Sequence, residues 1–191
     1  MGKPGSFIKR FTDIIFSILI LIITFPILLI SALAIKLDSK GPVFFIQERT
    51  GLNGKPFRMY KLRGMVENAL EIGPQLTQMN DPRITRVGKF LRRTSIDEIP
   101  QAFNVLKGDM SLIGPRPEII PITTTFNQEQ TKVFNFKPGI TGYSQINGRQ
   151  MLTPDERIKM EVKYYSKASF WSDFVIAIST FKVVLNNKGN I

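Results

Sequence analysis

Residues 14–35, IIFSILILIITFPILLISALAI, form a run of 22 residues without a charged side chain. As a straight helix this run would extend about 33 Å at roughly 1.5 Å per residue. That length is enough to cross a hydrocarbon core of about 30 Å. The run is too long for the apolar part of a signal peptide, and no small-residue cleavage site follows it. It therefore predicts a helix that enters a membrane.

Pro26 lies near the middle of this run. A proline there removes a backbone donor and clashes with the preceding turn, so a kink or break is expected. Thr24 could donate its hydroxyl to a carbonyl that the break leaves unpaired. Basic residues lie on both sides of the run, namely Lys3, Lys9, Arg10, Lys36 and Lys40. Because these flanks give no direction of crossing, the residues leave a spanning helix and a re-entrant helix equally open.

The whole chain has 191 residues, a length that fits one domain. Its 26 Lys and Arg against 15 Asp and Glu give a formal charge of +11. This excess favours polyanionic partners such as nucleic acid, an anionic membrane surface or phosphorylated substrates. Charge alone does not choose among them.

Two missing residue types narrow the chemistry, since the sequence contains no Cys and no His. Disulfides, thiolate nucleophiles, Cys-ligated metals, imidazole metal sites and Ser-His or Cys-His triads are all excluded. Catalysis would have to use carboxylates, Lys, Arg, Tyr or hydroxyls. A metal would have to be a hard cation bound by oxygen, with Mg2+ the first candidate beside phosphates.

Turn and capping signals divide the rest of the chain into short elements. Residues 43–49 and 56–63 predict a β-hairpin around a turn at 51–54. The last helix is mostly apolar but too short to span a membrane, so we interpret it as an interfacial or packed helix. Helices are predicted at 67–78, 99–107, 119–134, 154–167 (capped by Thr153) and 170–185, and loops at 79–88, 109–118 and 137–149.

The densest cluster of polar residues is 91–101, LRRTSIDEIPQ. Ser95 to Glu98 matches the capping-box pattern, so one interpretation of Asp97 and Glu98 is that they only begin a helix. Pro100 favours a later start, because proline is comfortable at the first helical position. The two carboxylates would then lie at or just before the positive end of the helix.

That position also suits chemistry at phosphorus. A helix N-terminus and the neighbouring Arg92 and Arg93 favour the ionised carboxylate, which can attack phosphorus or bind a metal. The same arginines could neutralise a diphosphate, whose oxygens match a planar donor fork.

Six short motifs occur together and in order along the chain. They are Lys61-Leu62-Arg63-Gly64-Met65, the run from Arg92 to Gln101, Phe103-Asn104-Val105-Leu106-Lys107-Gly108-Asp109-Met110-Ser111, Gly114-Pro115-Arg116-Pro117-Glu118, Pro138-Gly139-Ile140-Thr141-Gly142 and Gln145-Ile146-Asn147-Gly148-Arg149. With these motifs the chain closely resembles the bacterial sugar transferase family, the monotopic phosphoglycosyl transferases, over nearly its whole length.

The resemblance implies an activity. Members transfer a phosphosugar from a UDP-sugar to a polyprenol phosphate, usually undecaprenyl phosphate, and release UMP through a covalent aspartyl intermediate with Mg2+. On this chain Asp97 would be the nucleophile and Glu98 the metal ligand. Two-step transfer lets a soluble donor and a lipid acceptor use one site in turn, and it needs neither His nor Cys.

The resemblance also implies a fold. We expect an α+β, mainly helical chain that forms a single domain over 1–191. Residues 11–37 would be a re-entrant membrane helix that breaks at Pro26, and residues 38–191 a compact cytoplasmic catalytic region with a short β-hairpin and interfacial amphipathic helices.

Further site residues follow from the family motifs, each with a structural alternative. Arg92, Arg116 and Arg149 resemble substrate-contacting arginines, but each could instead brace a loop or lie at the surface. Lys61 and Arg63 match a basic motif near the site, or could anchor the hairpin to lipid headgroups. Asp173 matches a recurrent acid, and pairing with a nearby base is an equally good interpretation.

Two positions depart from the family pattern. Phe25 stands before the membrane proline where many relatives have Ser, and Gly64 stands where the basic motif usually has Ser or Thr. The first departure leaves the geometry of the helix break open. Asp97 and Glu98 are both intact, so neither departure argues against activity.

The expected partners are a UDP-sugar, undecaprenyl phosphate and membrane phospholipids, at the cytoplasmic face of a bacterial inner membrane. Nucleic acid is not expected, because no recognisable binding motif is present. The alternative function is a non-catalytic basic protein of the membrane surface, in which Asp97 and Glu98 only cap a helix. The sequence leaves the sugar, the pathway and the oligomeric state open, a homo-oligomer included.

Overall fold

A computed structural model describes residues 7–78, 80–148 and 152–185 of the chain. These residues form a mixed α and β structure that is mainly helical. It contains a long apolar helix at its beginning and two small two-stranded sheets. The predicted fold class is confirmed in this general form.

Helix α1, Phe7–Asp38, is one continuous helix of 32 residues that contains the whole apolar run. Pro26 lies inside it, and the predicted division into two separate helices is not seen. Thr24 donates its hydroxyl to Ile20 O at 2.6 Å, and so does not serve the carbonyl of residue 22 that the proline leaves unpaired. A proline removes only one helical bond, and the bonds on either side keep the backbone helical.

Most large apolar side chains of α1 are exposed. Its four buried residues are Asp13, Ser17, Ser31 and Ile35, whose spacing places them on one face. By length and composition this helix could cross a membrane. A core helix of a soluble protein would bury its apolar residues, so this exposure favours a lipid environment.

The N-terminal part of α1 is bonded to the folded body. Arg10 donates to Val105 O at 2.6 Å and to Leu106 O at 2.8 Å, the last carbonyls of a following helix. The carboxylate of Asp13 accepts from the Ser111 hydroxyl and the Leu112 N–H, both at 3.1 Å. These bonds satisfy polar groups that would otherwise be costly near an apolar helix.

The C-terminal end of α1 is bonded to the same body. Ile35 packs against Leu62 and Leu91 in one hydrophobic cluster. The Asp38 carboxylate accepts from the Val87 N–H at 2.9 Å, which satisfies a free donor at the start of the next helix. Both ends of the apolar helix are therefore attached to one compact unit.

The predicted hairpin is confirmed. Strands β1, Phe44–Thr50, and β2, Pro56–Leu62, pair antiparallel with Phe44 opposite Leu62 and Thr50 opposite Pro56. Asn53 and Gly54 in the connection have positive φ, which Asn and Gly tolerate best.

The helix predicted at 67–78 is wrong, because this segment forms turns and bends. Asn68 has a φ of 61°, which interrupts helical geometry near the start. The guanidinium of Arg83 donates to Ala69 O and Pro74 O and binds Asp81 at 2.6 Å. These bonds occupy carbonyls from inside the segment, so the loop is built around a buried arginine.

The middle of the chain contains α2, Arg86–Thr94, α3, Gln101–Lys107, and strand β3, Ser111–Ile113. The predicted stop of α3 is confirmed, since Gly108 caps it with a φ of 93°. The single helix predicted at 119–134 is wrong: α4, Ile120–Thr123, ends early, and a 3-10 helix follows at Gln130–Asn135.

The glycine-rich segment predicted as a loop at 137–149 contains short elements. Strand β4, Gly139–Thr141, pairs parallel with β3 in the second sheet, and α5, Tyr143–Ile146, follows it. The strand β3 likewise lies inside the loop predicted at 109–118. Elements of three or four residues carry too little periodicity to be seen in a sequence.

The last two helices are confirmed. Helix α6, Pro154–Tyr165, begins with a capping box between Thr153 and Glu156. Helix α7, Phe170–Leu185, buries Ile176 and leaves several large apolar side chains exposed. Those exposed residues, which fit the interfacial interpretation, are Trp171, Phe174, Val175, Ile178 and Phe181.

A close backbone contact holds α2 against the end of β2. The Thr85 N–H donates to Gly64 O at 3.2 Å, and a Cβ on Gly88 would lie 1.9 Å from that same oxygen. A Cβ on Gly64 would meet nothing closer than 3.5 Å, at Arg92 and Gly88. Gly64 therefore has room for a small side chain.

We expect Gly88→Ala to lower the melting temperature by about 5 °C or more, since overpacking of this kind costs roughly 1–3 kcal/mol. Gly64→Ala is the matched control and should change it by about 1 °C at most, because its contacts are ordinary. Thermal unfolding of both variants in detergent measures this. Equal melting temperatures would contradict the close approach, since alanine at position 88 is otherwise favourable in a helix.

Candidate active site

Asp97 and Glu98 lie in a single 3-10 turn, Ile96–Glu98, between α2 and α3. Ser95 closes α2 in the left-handed region with a φ of 58°, and Pro100 is the N-cap of α3. The side chain of Ser95 makes no capping bond, so the capping-box interpretation of this motif is wrong. The two carboxylates precede the helix start, as the position of Pro100 predicts.

Glu98 is bonded by cations from two other segments. The ammonium of Lys61, on β2, lies 2.8 Å from Glu98 Oε1. The Nη1 of Arg116, on the loop after β3, lies 3.7 Å from the same oxygen. All three side chains are partly exposed, so the cluster is open to a ligand.

The buried side chain of Asn104 sets the position of Lys61. Its amide donates to Arg58 O at 2.7 Å and accepts from the Tyr60 N–H at 3.0 Å. These bonds attach α3 to β2 directly beside Lys61, so the strand and the carboxylate turn are held in one register.

Asp97 has a pKa raised to about 6, chiefly because burial disfavours its charged form. The charge of Lys61 lowers this pKa, the adjacent Glu98 raises it, and Arg92 and Arg116 lower it. The sequence suggested that a helix end and arginines would favour ionisation, and in the structure burial outweighs them. Asp97 is still mainly ionised at neutral pH.

Arg92 reaches the same cluster from the last turn of α2. Its guanidinium is half-buried, burial lowers its pKa, and the charge of Asp97 raises it again. Arg93, the next residue, lies on the exposed side of the helix. Arg92 therefore interacts electrostatically with Asp97.

Two predicted site residues make contacts of the fold. Arg63 is buried and donates to Ser39 O and Lys40 O, so it ties the hairpin to the end of α1. Asp173 on α7 forms an ion pair with Lys9 on α1 at 2.5 Å. This is the structural alternative given above, in which Asp173 pairs with a nearby basic residue. Arg149 lies outside the described residues.

Sequence reasoning missed Arg49 on β1. Burial lowers its pKa to about 10, with the charge of Arg116 adding to this effect and Glu118 and Glu98 opposing it. It donates to Pro117 O at 3.2 Å. The sequence did contain a signal that Arg49 points inward. Side chains alternate between the two faces along β1, and Arg49 shares the less exposed face with Phe45.

Comparisons with known proteins show which family the chain resembles. A sequence profile described as bacterial sugar transferase matches residues 4–187. The chain is 45% identical to "Galactosyl transferase CpsE" of Streptococcus agalactiae, over 95% of this chain and 43% of that protein. It is 42% identical to the "UDP-glucose:undecaprenyl-phosphate glucose-1-phosphate transferase" of Escherichia coli, over 97% of this chain and 42% of that protein.

A shorter relative is matched over most of its length. The "Uncharacterized sugar transferase EpsL" of Bacillus subtilis is 39% identical, over 95% of this chain and 89% of that protein. The chain spans less than half the length of the first two relatives. Since the family profile covers nearly every residue, including the Asp97-Glu98 turn and its cations, the chain belongs to the bacterial sugar transferase family.

Proposed function

We propose that this protein transfers a sugar 1-phosphate from a UDP-sugar to undecaprenyl phosphate and releases UMP. One observation carries the proposal: adjacent carboxylates, Asp97 and Glu98, lie in one turn among Lys61, Arg92 and Arg116. A nucleophile beside a charge-neutralising cluster is the arrangement that phosphoryl transfer requires. The names of several relatives describe this type of reaction.

The first step is an attack by a carboxylate oxygen of Asp97 on the sugar-proximal phosphorus. The bond from that phosphorus to the bridging oxygen breaks, and UMP leaves with the electron pair. In the second step an oxygen of undecaprenyl phosphate attacks the same phosphorus, and the carboxylate of Asp97 is released. A carboxylate suits this role because it needs no general base to activate it.

The cations would bind the diphosphate. Arg116 offers a planar donor fork that matches phosphate oxygens, and Lys61 a compact point charge. Both contact Glu98 in the free protein, so binding of a diphosphate would exchange carboxylate contacts for phosphate contacts. Arg92 would act on the Asp97 side of the site, where its charge favours the ionised nucleophile.

The donor set fits Mg2+ shared with a substrate. Within 7–78, 80–148 and 152–185 there is no group of three or more acidic, His or Cys side chains that would enclose a metal. Mg2+ commonly binds through one or two carboxylates together with substrate phosphates and water, and Glu98 would supply such a carboxylate beside the nucleophile Asp97. When bound, the ion would neutralise charge that develops on the transferred phosphoryl group.

The catalytic region is proposed to lie at the cytoplasmic face of the membrane, with α1 entering the bilayer and returning through a bend at Pro26 within the continuous helix. This is supported by the attachment of both ends of α1 to one body, through Arg10 and Asp13 at one end and Ile35 and Asp38 at the other. A spanning helix would place these ends on opposite sides of the bilayer, which would divide that body. The inner face of α1 carries its few polar residues, whereas the exposed faces suit lipid.

The nucleophile assignment predicts that Asp97→Asn lowers UMP release by about 1,000-fold or more, since the loss of a covalent nucleophile removes about 4 kcal/mol of transition-state stabilisation. UMP release from UDP-sugars with Mg2+ and undecaprenyl phosphate measures this. Asp155→Asn, an identical change at an exposed surface residue, should leave the rate unchanged. Equal release by the Asp97 and Asp155 variants would rule out Asp97 as the nucleophile.

The raised pKa of Asp97 predicts a pH-dependent effect on stability. An acid whose folded pKa exceeds its unfolded value, here about 6 against 3.8, destabilises the fold as pH rises between the two values. In metal-free buffer Asp97→Asn should therefore raise the free energy of unfolding at pH 8 by roughly 1 kcal/mol, after allowance for solvent screening. This gain corresponds to a rise in melting temperature of about 2–4 °C. The gain should disappear near pH 4, and a gain that is independent of pH would contradict the assignment.

The proposed topology can be tested by labelling, since the natural chain contains no Cys. Ile8→Cys places a single thiol near the start of α1, and Lys40→Cys places one just after its end. Lys159→Cys places the reference thiol at an exposed position of α6. In sealed vesicles of known orientation, an impermeant maleimide should label all three from the same side. Labelling of the first two from opposite sides would exclude the re-entrant arrangement.

A further inference from the structure

Helix α6 carries a fully buried carboxyl group that the proposed mechanism does not use. Glu161 Oε1 accepts from the backbone N–H of Arg116 at 3.0 Å and from the hydroxyl of Ser144. Its other oxygen has no hydrogen-bond partner among the described residues. A buried carboxyl is costly to keep in a fold unless hydrogen bonds compensate, and one of the two bonds of Glu161 connects it to the backbone of Arg116.

The loop that carries Arg116 is held at each of its next two residues as well. Arg49 on β1 donates to Pro117 O at 3.2 Å. Glu118 forms a buried ion pair with Arg157, which lies one turn before Glu161 on α6. Three successive loop residues are thus fixed by side chains from two elements.

Behind this loop the protein is closely packed. A recess of about 10 Å3 remains there, bordered by Arg116, Phe126, Phe136 and Ile158. That space holds about one water molecule, too little for a nucleotide. The guanidinium of Arg116 instead lies toward Glu98, so the loop presents it to the open side of the site.

We propose that Glu161 is a positioning residue: by holding the backbone of Arg116, it sets the guanidinium of Arg116 where the diphosphate of the donor binds. This inference rests on the proposed function, since it names the residue that prepares the site for its substrate. Glu161 acts through Arg116 and does not itself contact substrate.

The charges around Glu161 explain why a neutral acceptor can replace it. Burial raises its pKa to about 7, the charge of Glu118 raises it further, and Arg157 and the bonds from Ser144 and Arg116 lower it. Tyr165, also buried on α6, faces the same carboxyl. Near neutral pH the group is partly uncharged, so a glutamine would keep the hydrogen bond to Arg116 N–H without the charge.

The first test measures the loop itself. In Pro115-Arg116-Pro117 the only amide hydrogen belongs to Arg116, since proline has none. Glu161→Leu, which fills the space but accepts no bond, should speed hydrogen exchange in the peptide containing Arg116 by about tenfold or more. In Glu161→Gln the hydrogen-exchange rate of this peptide should remain that of the wild-type protein. Unchanged exchange in Glu161→Leu would overturn the proposal.

The second test measures binding of UDP, in protein that also carries Asp97→Asn so that no chemistry occurs. Glu161→Leu should weaken UDP binding by about tenfold, as expected for a misplaced charged donor, and Glu161→Gln by about twofold at most. If Glu161→Leu does not fold, Glu161→Met takes its place as a more adaptable apolar side chain.

A double-mutant cycle shows whether Glu161 acts through Arg116. In an Arg116→Ala background, Glu161→Leu should have no further effect on UDP binding. The same tenfold loss in that background would overturn the proposal and leave Glu161 as a residue of the fold alone. If wild-type protein does not bind UDP, the proposed function fails, and the exchange measurement still decides whether Glu161 holds Arg116.

Discussion

Two carboxylates that are adjacent in one turn repel each other, and nearby positive charges in the site offset that repulsion. Lys61 comes from the hairpin, Arg92 from α2 and Arg116 from the loop after β3, and all three place positive charge at Asp97 or Glu98. Burial still raises the pKa of Asp97 to about 6, so the cations limit the cost of burial without removing it. A carboxylate held in this way is ready to exchange its neighbours for a phosphate group.

The elements around this turn fix the positions of those three cations relative to the two carboxylates. Asn104 bonds α3 to β2 beside Lys61. The close approach of Gly64 and Gly88 sets α2, and with it Arg92, against the same strand. Helix α6 and Arg49 hold the loop of Arg116 from the other side. The hydrophobic clusters are small, and much of the specificity of the fold comes from buried polar bonds between elements.

The apolar helix is joined to this framework at both ends. Its polar anchors, Arg10, Asp13 and Asp38, bond to groups of α3, β3 and α2. Lys9 and Asp173 add a contact to α7, which like α1 has large exposed apolar side chains. Under the proposed function, this arrangement would bring a lipid-borne acceptor to the level of Asp97 while the nucleotide donor approaches from water.

The sequence by itself determined the long apolar helix, the hairpin, the helices α3, α6 and α7, and the Asp97-Glu98 motif, because each has a strong local signal: an uncharged run, a Gly/Asn turn, a capping residue or an ordered motif. It also pointed to Lys61, Arg92 and Arg116. Only the tertiary structure decided that Ser95 does not cap a helix, that 67–78 folds around Arg83, and that Arg63 and Asp173 bind other parts of the fold. The partners of Arg49 and Glu161 were likewise found only there, because they lie 68 and 45 residues away in the chain, and such contacts leave no periodic trace in a sequence.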